Sequence, residues 1–274
     1  LAVFSETHGA SHDLWFASAT DHPLHSSWKD QRNPLLNVFV EIDNAIGAIS
    51  KKVGESALLI CFSVHGAQSN IEDLASFFVL PELLYRFNFP GKIGFSGNTT
   101  DSHISPPILT GRHGHWSGEI WRRKHCGGRV RNFLRSLLPA WLIWPPGKDF
   151  LFPYTTDPSG PGQSWMPSVW YRPSWPRMHS FSLPSYANGH VRINLKGRES
   201  QGLVDPDDYR FHCDQIRDFL LRVRNARTGQ PYITQVIRTR NSPFENDPKL
   251  PQADLVVQWN NQPADVFDSP DVGR

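Results

Sequence analysis

The spacing of apolar positions changes along the chain, and each change marks an expected element. Residues 1–5, Leu-Ala-Val-Phe-Ser, form a short apolar run ending in a polar, His-rich cluster, and read as a buried strand. From Pro34 onward, Leu35, Val38, Phe39, Ile42, Ala45, Ile46 and Ile49 recur at helical spacing, with Pro34 suited to a first turn and Gly54 to the exit. Residues 57–62, Ala-Leu-Leu-Ile-Cys-Phe, are continuously apolar over a strand's length, the pattern of a central parallel strand covered on both faces. A helical segment over 74–87 follows. Strand, helix, strand, helix predicts an α/β fold: a mostly parallel central sheet with helices on both faces.

Periodicity then fades. Over 91–180 the chain is rich in Pro and Gly and carries most of its ten Trp residues. Left in an unfolded linker, those aromatics would expose apolar surface at a cost of about 25 cal/mol per Å². The segment is therefore expected to pack as an irregular, cap-like insertion. Regular patterning returns at 190–195, whose alternation suits a strand. Next come Asp205 as an expected N-cap, Pro206 in the first turn, and a helix with Tyr209, Cys213, Ile216, Phe219, Leu220 and Val223 on its apolar side. Residues 232–239 and 253–259 are expected strands. No internal repeat is visible, and 1–274 reads as one domain with 91–180 inserted.

Composition narrows the function classes only partly. With 39% hydrophobic and 12% aromatic residues over 274 positions, the chain can bury a sizeable core. A formal net charge of +2 is too near balance to indicate nucleic acid or an anionic membrane as partner. No apolar run approaches the roughly 20 residues that span a bilayer. Three scattered cysteines, Cys61, Cys126 and Cys213, form neither a zinc knuckle nor a disulfide framework, which fits a reducing compartment and favours the cytoplasm. The chain begins at Leu1 without an initiator Met, so an upstream portion is expected.

Three stretches could carry chemistry. Glu6-Thr7-His8-Gly9-Ala10-Ser11-His12, with Asp21, His22 and His25 nearby, places two imidazoles four apart. Neutral imidazole nitrogen is a good ligand for Zn or Mn; the plainer reading is loop histidines beside a helix-capping carboxylate. Ser63-Val64-His65-Gly66 follows an apolar run, where an imidazole could share a crevice with His12 or simply sit in a turn. Arg198, with Lys196 and Glu199, either grips an anionic ester or orders the turn through an internal ion pair. A fourth stretch, Arg122 to Arg135 with Trp116, Trp121 and Trp141 around it, reads as the solvated face of a helix rather than a nucleic-acid surface.

Glu6-x-His8-x-x-x-His12 and Ser63-x-His65-Gly66 resemble the Glu-Pro-Asp-x-x-Gly-His and Ser-Asp-His-Gly motifs of the type I phosphodiesterase/nucleotide pyrophosphatase branch of the alkaline phosphatase superfamily. Leu80-Pro81-Glu82-Leu83-Leu84, Trp170-Tyr171-Arg172-Pro173 and the block from Arg192 to Glu199 are similar to segments of bacterial type I phosphodiesterases and sulfatase-like phosphohydrolases. The resemblance implies a metal-dependent phosphoester hydrolase with two divalent metal ions, Zn or Mn. It puts His8 and His12 at one ion and His65 at the other, Glu6 behind them, and Arg198 and Lys196 on the ester. The implied partner is a small-molecule phosphate or sulfate ester, not nucleic acid or a membrane. The chain departs from the pattern: His8 and Val64 stand where the family has Asp, a further His of the family has no identified counterpart downstream, and the family's nucleophile would precede Leu1. The expectation is thus a hydrolase piece inactive without its upstream nucleophile or, alternatively, a catalytically degenerate relative that binds an anionic ligand or a protein partner.

Overall fold

In the computed structural model the described residues are 1–20, 25, 28, 32–63, 65–67, 73–95, 130, 133, 137, 166–260, 262, 264 and 266–274. The chain divides into two units, Leu1–Asn70 and Ile71–Arg274.

The first unit contains two helices that pack on each other, α1 (Glu6–Ser18) and α2 (Pro34–Val53). α2 begins where Pro34 supplies a preset φ and Asn33 caps the end, its Oδ1 accepting from the Leu36 amide at 3.0 Å. It stops at Gly54, whose φ of 74° is open to glycine at no steric cost. Near the α1–α2 connection, Ser18 Oγ donates to Asn33 Oδ1 at 2.7 Å, and the His25 ring lies 3.0 Å from the Phe16 carbonyl.

Two expectations for this unit are corrected. Residues 1–5 form no strand; they are irregular and lead straight into α1, so His8 and His12 lie one turn apart on a helix rather than in a loop. Residues 57–62 form no strand either and are exposed throughout. An unbroken apolar run signals a tendency to be buried but names no pairing partner.

The second unit holds the main core. A π-helical turn (Ala75–Val79) runs into α3 (Leu80–Asn88), and a 3-10 segment (Pro167–Arg177) leads to β1 (Ser180–Leu183) and β2 (Gly189–Ile193). After a 3-10 turn (Pro206–Asp208) come α4 (Tyr209–Leu221), β3 (Arg224–Asn225), β4 (Ile233–Arg238), β5 (Leu255–Trp259) and β6 (Phe267–Asp268). The four-stranded sheet has the order β1-β2-β5-β4, and β3 pairs with β6. Phe181 faces Arg192, Val191 faces Leu255, and Val236 faces Val257.

The chain is therefore mixed α and β, as the patterning predicts. The expected parallel arrangement is not found among the described strands, whose ladders are all antiparallel; Leu195 and Val204 form one isolated parallel bridge. The connections explain this. β1 passes to β2 through a short turn, a connection that only antiparallel partners can use.

The expected periodicities hold locally. In β2 and β5 alternate residues are buried, Val191 and Ile193 on one strand and Leu255, Val257 and Trp259 on the other. The buried side of α4 is Tyr209, Cys213, Ile216, Phe219 and Leu220, and the helix packs on β4 and β2. Asp205 precedes the 3-10 turn without a side-chain cap bond; its carboxylate instead receives Lys196.

The turn between β1 and β2 is pinned from both sides. Ala187 has a φ of 53°, unfavourable for a residue with a Cβ. Its amide donates to Asp73 Oδ1 at 2.8 Å and its carbonyl accepts from Ser76 Oγ at 2.7 Å. Trp259 Nε1 donates to the same Ser76 oxygen at 2.7 Å, joining the π-helical turn to β5. Most of the 91–180 insertion lies outside the described residues, but its end does not: Trp170 and Tyr171 are buried, so this part of the Trp-rich stretch does pack. The basic stretch from Arg122 to Arg135 also lies outside them, apart from Val130 and Phe133, helical and exposed.

Candidate functional site

Helix α1 places His8 and His12 on one face because residues four apart stack along a helix. Their ring centroids are 4.6 Å apart with the planes at 77°. His65, beyond α2 in the same unit, brings its ring to 5.6 Å from that of His8 at 74°. His8 thus has two imidazole neighbours, His12 from its own helix and His65 from a distant stretch, and all three rings are exposed.

The His65 ring is oriented locally. Its Nδ1 lies 3.0 Å from the Gly66 carbonyl, and a carbonyl can only accept, so Nδ1 is the donor in that contact. Ser63 Oγ donates to the His65 carbonyl, closing the turn. A hydrogen bond from one ring nitrogen to a carbonyl is the arrangement that presents the other nitrogen to a metal.

Whether a metal suits these residues turns on spacing and donor chemistry. Two imidazoles on one tetrahedral Zn, each nitrogen about 2.0 Å from the ion, have ring centres about 5 Å apart. The two measured separations lie on either side of that value. In their present rotamers, no group of three or more His, Cys, Asp or Glu side chains among the described residues has its donors gathered to hold an ion. Imidazole is a ligand type that a borderline transition metal such as Zn accepts, but as placed His8, His12 and His65 do not form a group that could hold an ion. Glu6 lies exposed in the first turn of α1, one turn or less from His8. His22 and Asp21 lie outside the described residues, as does Val64. His25 is taken up by the Phe16 carbonyl, away from the trio's hydrogen bonds.

Lys196 and Arg198 belong to the second unit, in the turn after β2. Lys196 Nζ is paired with both oxygens of Asp205 at 2.9 and 2.8 Å, an exposed pair. All five N–H donors of Arg198 go to protein acceptors. Nε donates to Glu199 Oε1 at 3.0 Å, Nη1 to the Pro243 carbonyl and Asp254 Oδ1, and Nη2 to the Ile193 carbonyl and Asp254 Oδ2. An ester anion at Arg198 would have to displace a wholly buried carboxylate.

Asp254 is the hub that sequence reasoning missed. Besides Arg198 it accepts from Tyr209 Oη at 3.0 Å and the Ile193 amide at 2.7 Å. Burial, followed by the Asp254 charge, pushes the Tyr209 phenol well above its ordinary range, so it remains a donor. A signal was present in the sequence: a carboxylate at the head of the apolar run Leu255-Val256-Val257 calls for a buried cation. A second buried carboxylate, Glu82, receives Arg86 Nε at 2.6 Å, the Gly94 amide at 3.0 Å and the Tyr171 hydroxyl. Burial, then Glu82, raises the Tyr171 phenol strongly. Both clusters are internally satisfied and read as structural ties.

Comparison of the chain with protein families, with curated proteins and with solved structures yields no match. Among the described residues no helix is long and apolar enough to cross a membrane.

Proposed function

We propose that the chain acts as a metal-dependent phosphoester hydrolase of the phosphodiesterase or sulfatase-like kind, taking a small-molecule phosphate or sulfate ester. The observation that carries the reading is the approach of His65, from a separate stretch of chain, to His8, whose ring also meets that of His12. Imidazole-only ligation favours Zn over Mn, since affinity at nitrogen sites rises toward the later metals. The reading puts His8 and His12 at one ion and His65 at a second; among the described residues no group of three or more His, Cys, Asp or Glu could hold an ion as placed. A bound ion would act as a Lewis acid on an ester oxygen. The chain's own part is to orient the His65 ring through the Nδ1 contact with the Gly66 carbonyl.

The test is turnover of bis-p-nitrophenyl phosphate by the chain loaded with Zn or Mn. Turnover that falls to background in the His12→Ala, His65→Ala double variant supports the assignment, whereas equal rates for parent and variant reject it.

A second reading, a catalytically degenerate protein that binds an anionic ligand or a protein partner, is favoured by one observation. Neither cation nominated to hold an ester, Arg198 or Lys196, has been left without a carboxylate partner. Metal bound at the His trio with no turnover on any ester would select it.

A further inference from the structure

We infer that Lys92, Arg177 and His179 form a binding site for the phosphoryl group of a small phosphorylated molecule. The site is made wholly of residues of the second unit and does not rest on the metal reading of the first.

Several cations of this unit are neutralised: Arg86, Arg192, Lys196, Arg198 and Arg222 each meet a carboxylate. Lys92 and Arg177, both exposed, meet none among the described residues. They lie instead against one ring, with Lys92 Nζ 5.3 Å and the Arg177 guanidinium carbon 5.7 Å from the centre of Phe89. The face of an aromatic ring attracts each cation without cancelling its charge. Their mutual repulsion is therefore left for an anion to relieve.

The arrangement is held by the backbone. Asn88, at the end of α3, donates from Nδ2 to the carbonyls of Leu84 at 2.7 Å and Ser180 at 3.0 Å, and its Oδ1 accepts the His179 amide at 2.6 Å. The Lys92 amide donates to the Phe89 carbonyl at 2.9 Å. The turn that carries Phe89 and Lys92 is thereby tied to the start of β1. Met178 is extended and buried, so its neighbours Arg177 and His179 leave the chain together on the outer side. The His179 ring is stacked on that of His212 at 5.5 Å and 9°. Asp208 lends its charge to His212, which favours an anion at the Lys92 and Arg177 end of the row.

The donors suit a phosphoryl group. Arg177 offers a planar fork, Lys92 a compact charge and His179 a ring N–H. A phosphate monoester carries roughly −1.5 to −2 charges near pH 7 on three acceptor oxygens, enough to meet all of them, whereas a carboxylate brings one charge and two oxygens. A patch with two permanent cations is too small to track a nucleic-acid backbone, which takes a longer run of phosphate contacts.

The test is equilibrium dialysis of the full chain against radiolabelled inorganic phosphate, with metals chelated so that the outcome is independent of the histidines of the first unit. A single saturable site is expected. Lys92→Gln and Arg177→Gln, both at exposed positions, should each weaken it about tenfold. Arg177→Lys, which keeps the charge and loses the fork, should fall between parent and Arg177→Gln. Lys249→Gln removes the same charge from an exposed position between β4 and β5 and should change the affinity less than about twofold. Absence of saturable uptake overturns the site. So does equal weakening by Lys249→Gln, which would report net charge alone, or displacement of phosphate by an equal concentration of acetate.

Discussion

The Arg198 guanidinium meets the Asp254 carboxylate in a two-pronged ion pair, Nη1 to Oδ1 at 2.8 Å and Nη2 to Oδ2 at 2.6 Å, with the carboxylate wholly buried. The pair links the turn after β2 to the start of β5. Arg240 approaches the same carboxylate at 3.8 Å, and Arg192 donates to Glu199, which Arg198 also contacts. A charge so placed is costly alone and tolerable only with its partners.

Asp254→Ala should therefore destabilise the protein by about 3–5 kcal/mol, because it strands a buried guanidinium, the Tyr209 hydroxyl and the Ile193 amide together. Urea unfolding measures this. A loss under about 1 kcal/mol would mean that water screens the pair as at a surface.

Gly202 faces the backbone of Leu195 and Lys196 so closely that a Cβ would overlap both. Backbone cannot rotate aside as a side chain does, so Gly202→Ala should cost at least about 1–3 kcal/mol. Gly229→Ala makes an informative contrast. No atom stands within 4 Å of a Cβ there, and its cost should come from its positive φ of 71° alone.

Cys213 is buried on α4, and burial pushes its thiol up to about 12. Thiol reagents attack the thiolate. Iodoacetamide at pH 8 should leave Cys213 unmodified in the folded protein and label it after unfolding, while exposed Cys61 is labelled in both states. Peptide mapping reads the outcome, and rapid native labelling at Cys213 would contradict the packing of α4.

His190 and His212 are both held below the ordinary value of 6.5, His190 by burial and His212 by burial and then by the neighbouring His179 ring, which stacks on it at 5.5 Å. The unfolded chain therefore binds more protons than the folded one just below pH 6.5. Their contribution is complete above that pH and is lost as pH falls through it toward the folded-state values. The urea midpoint should drop between pH 7.5 and 5.5, and the drop should be smaller in His190→Gln, His212→Gln. An identical slope in the double variant would assign the pH dependence to other groups.

The C-terminal part of the second unit was the most legible in the sequence. Alternation at Val191 and Ile193 and at Leu255 and Val257, and the spacing of Tyr209, Cys213, Ile216 and Phe219, each repeat a local period that only one kind of element can bury. The first unit was misread where the period was missing. Residues 57–62 are uniformly apolar, and α1 carries polar residues around most of its surface with little apolar asymmetry to reveal it. As for the site, the residue types and the four-residue interval of His8 and His12 were readable, but the full engagement of Arg198 was not. That engagement depends on Asp254, 56 positions away.

By itself the sequence determined which segments of the second unit become strands or helix and which of their sides are buried, because backbone geometry converts a local period directly into a face. Only the tertiary structure decided the antiparallel order of the sheet, the exposure of 57–62, the pairing of Arg198 with Asp254 and the meeting of His65 with His8. Each is an encounter between residues far apart along the chain, and such encounters depend on how the intervening backbone turns, which no local pattern records.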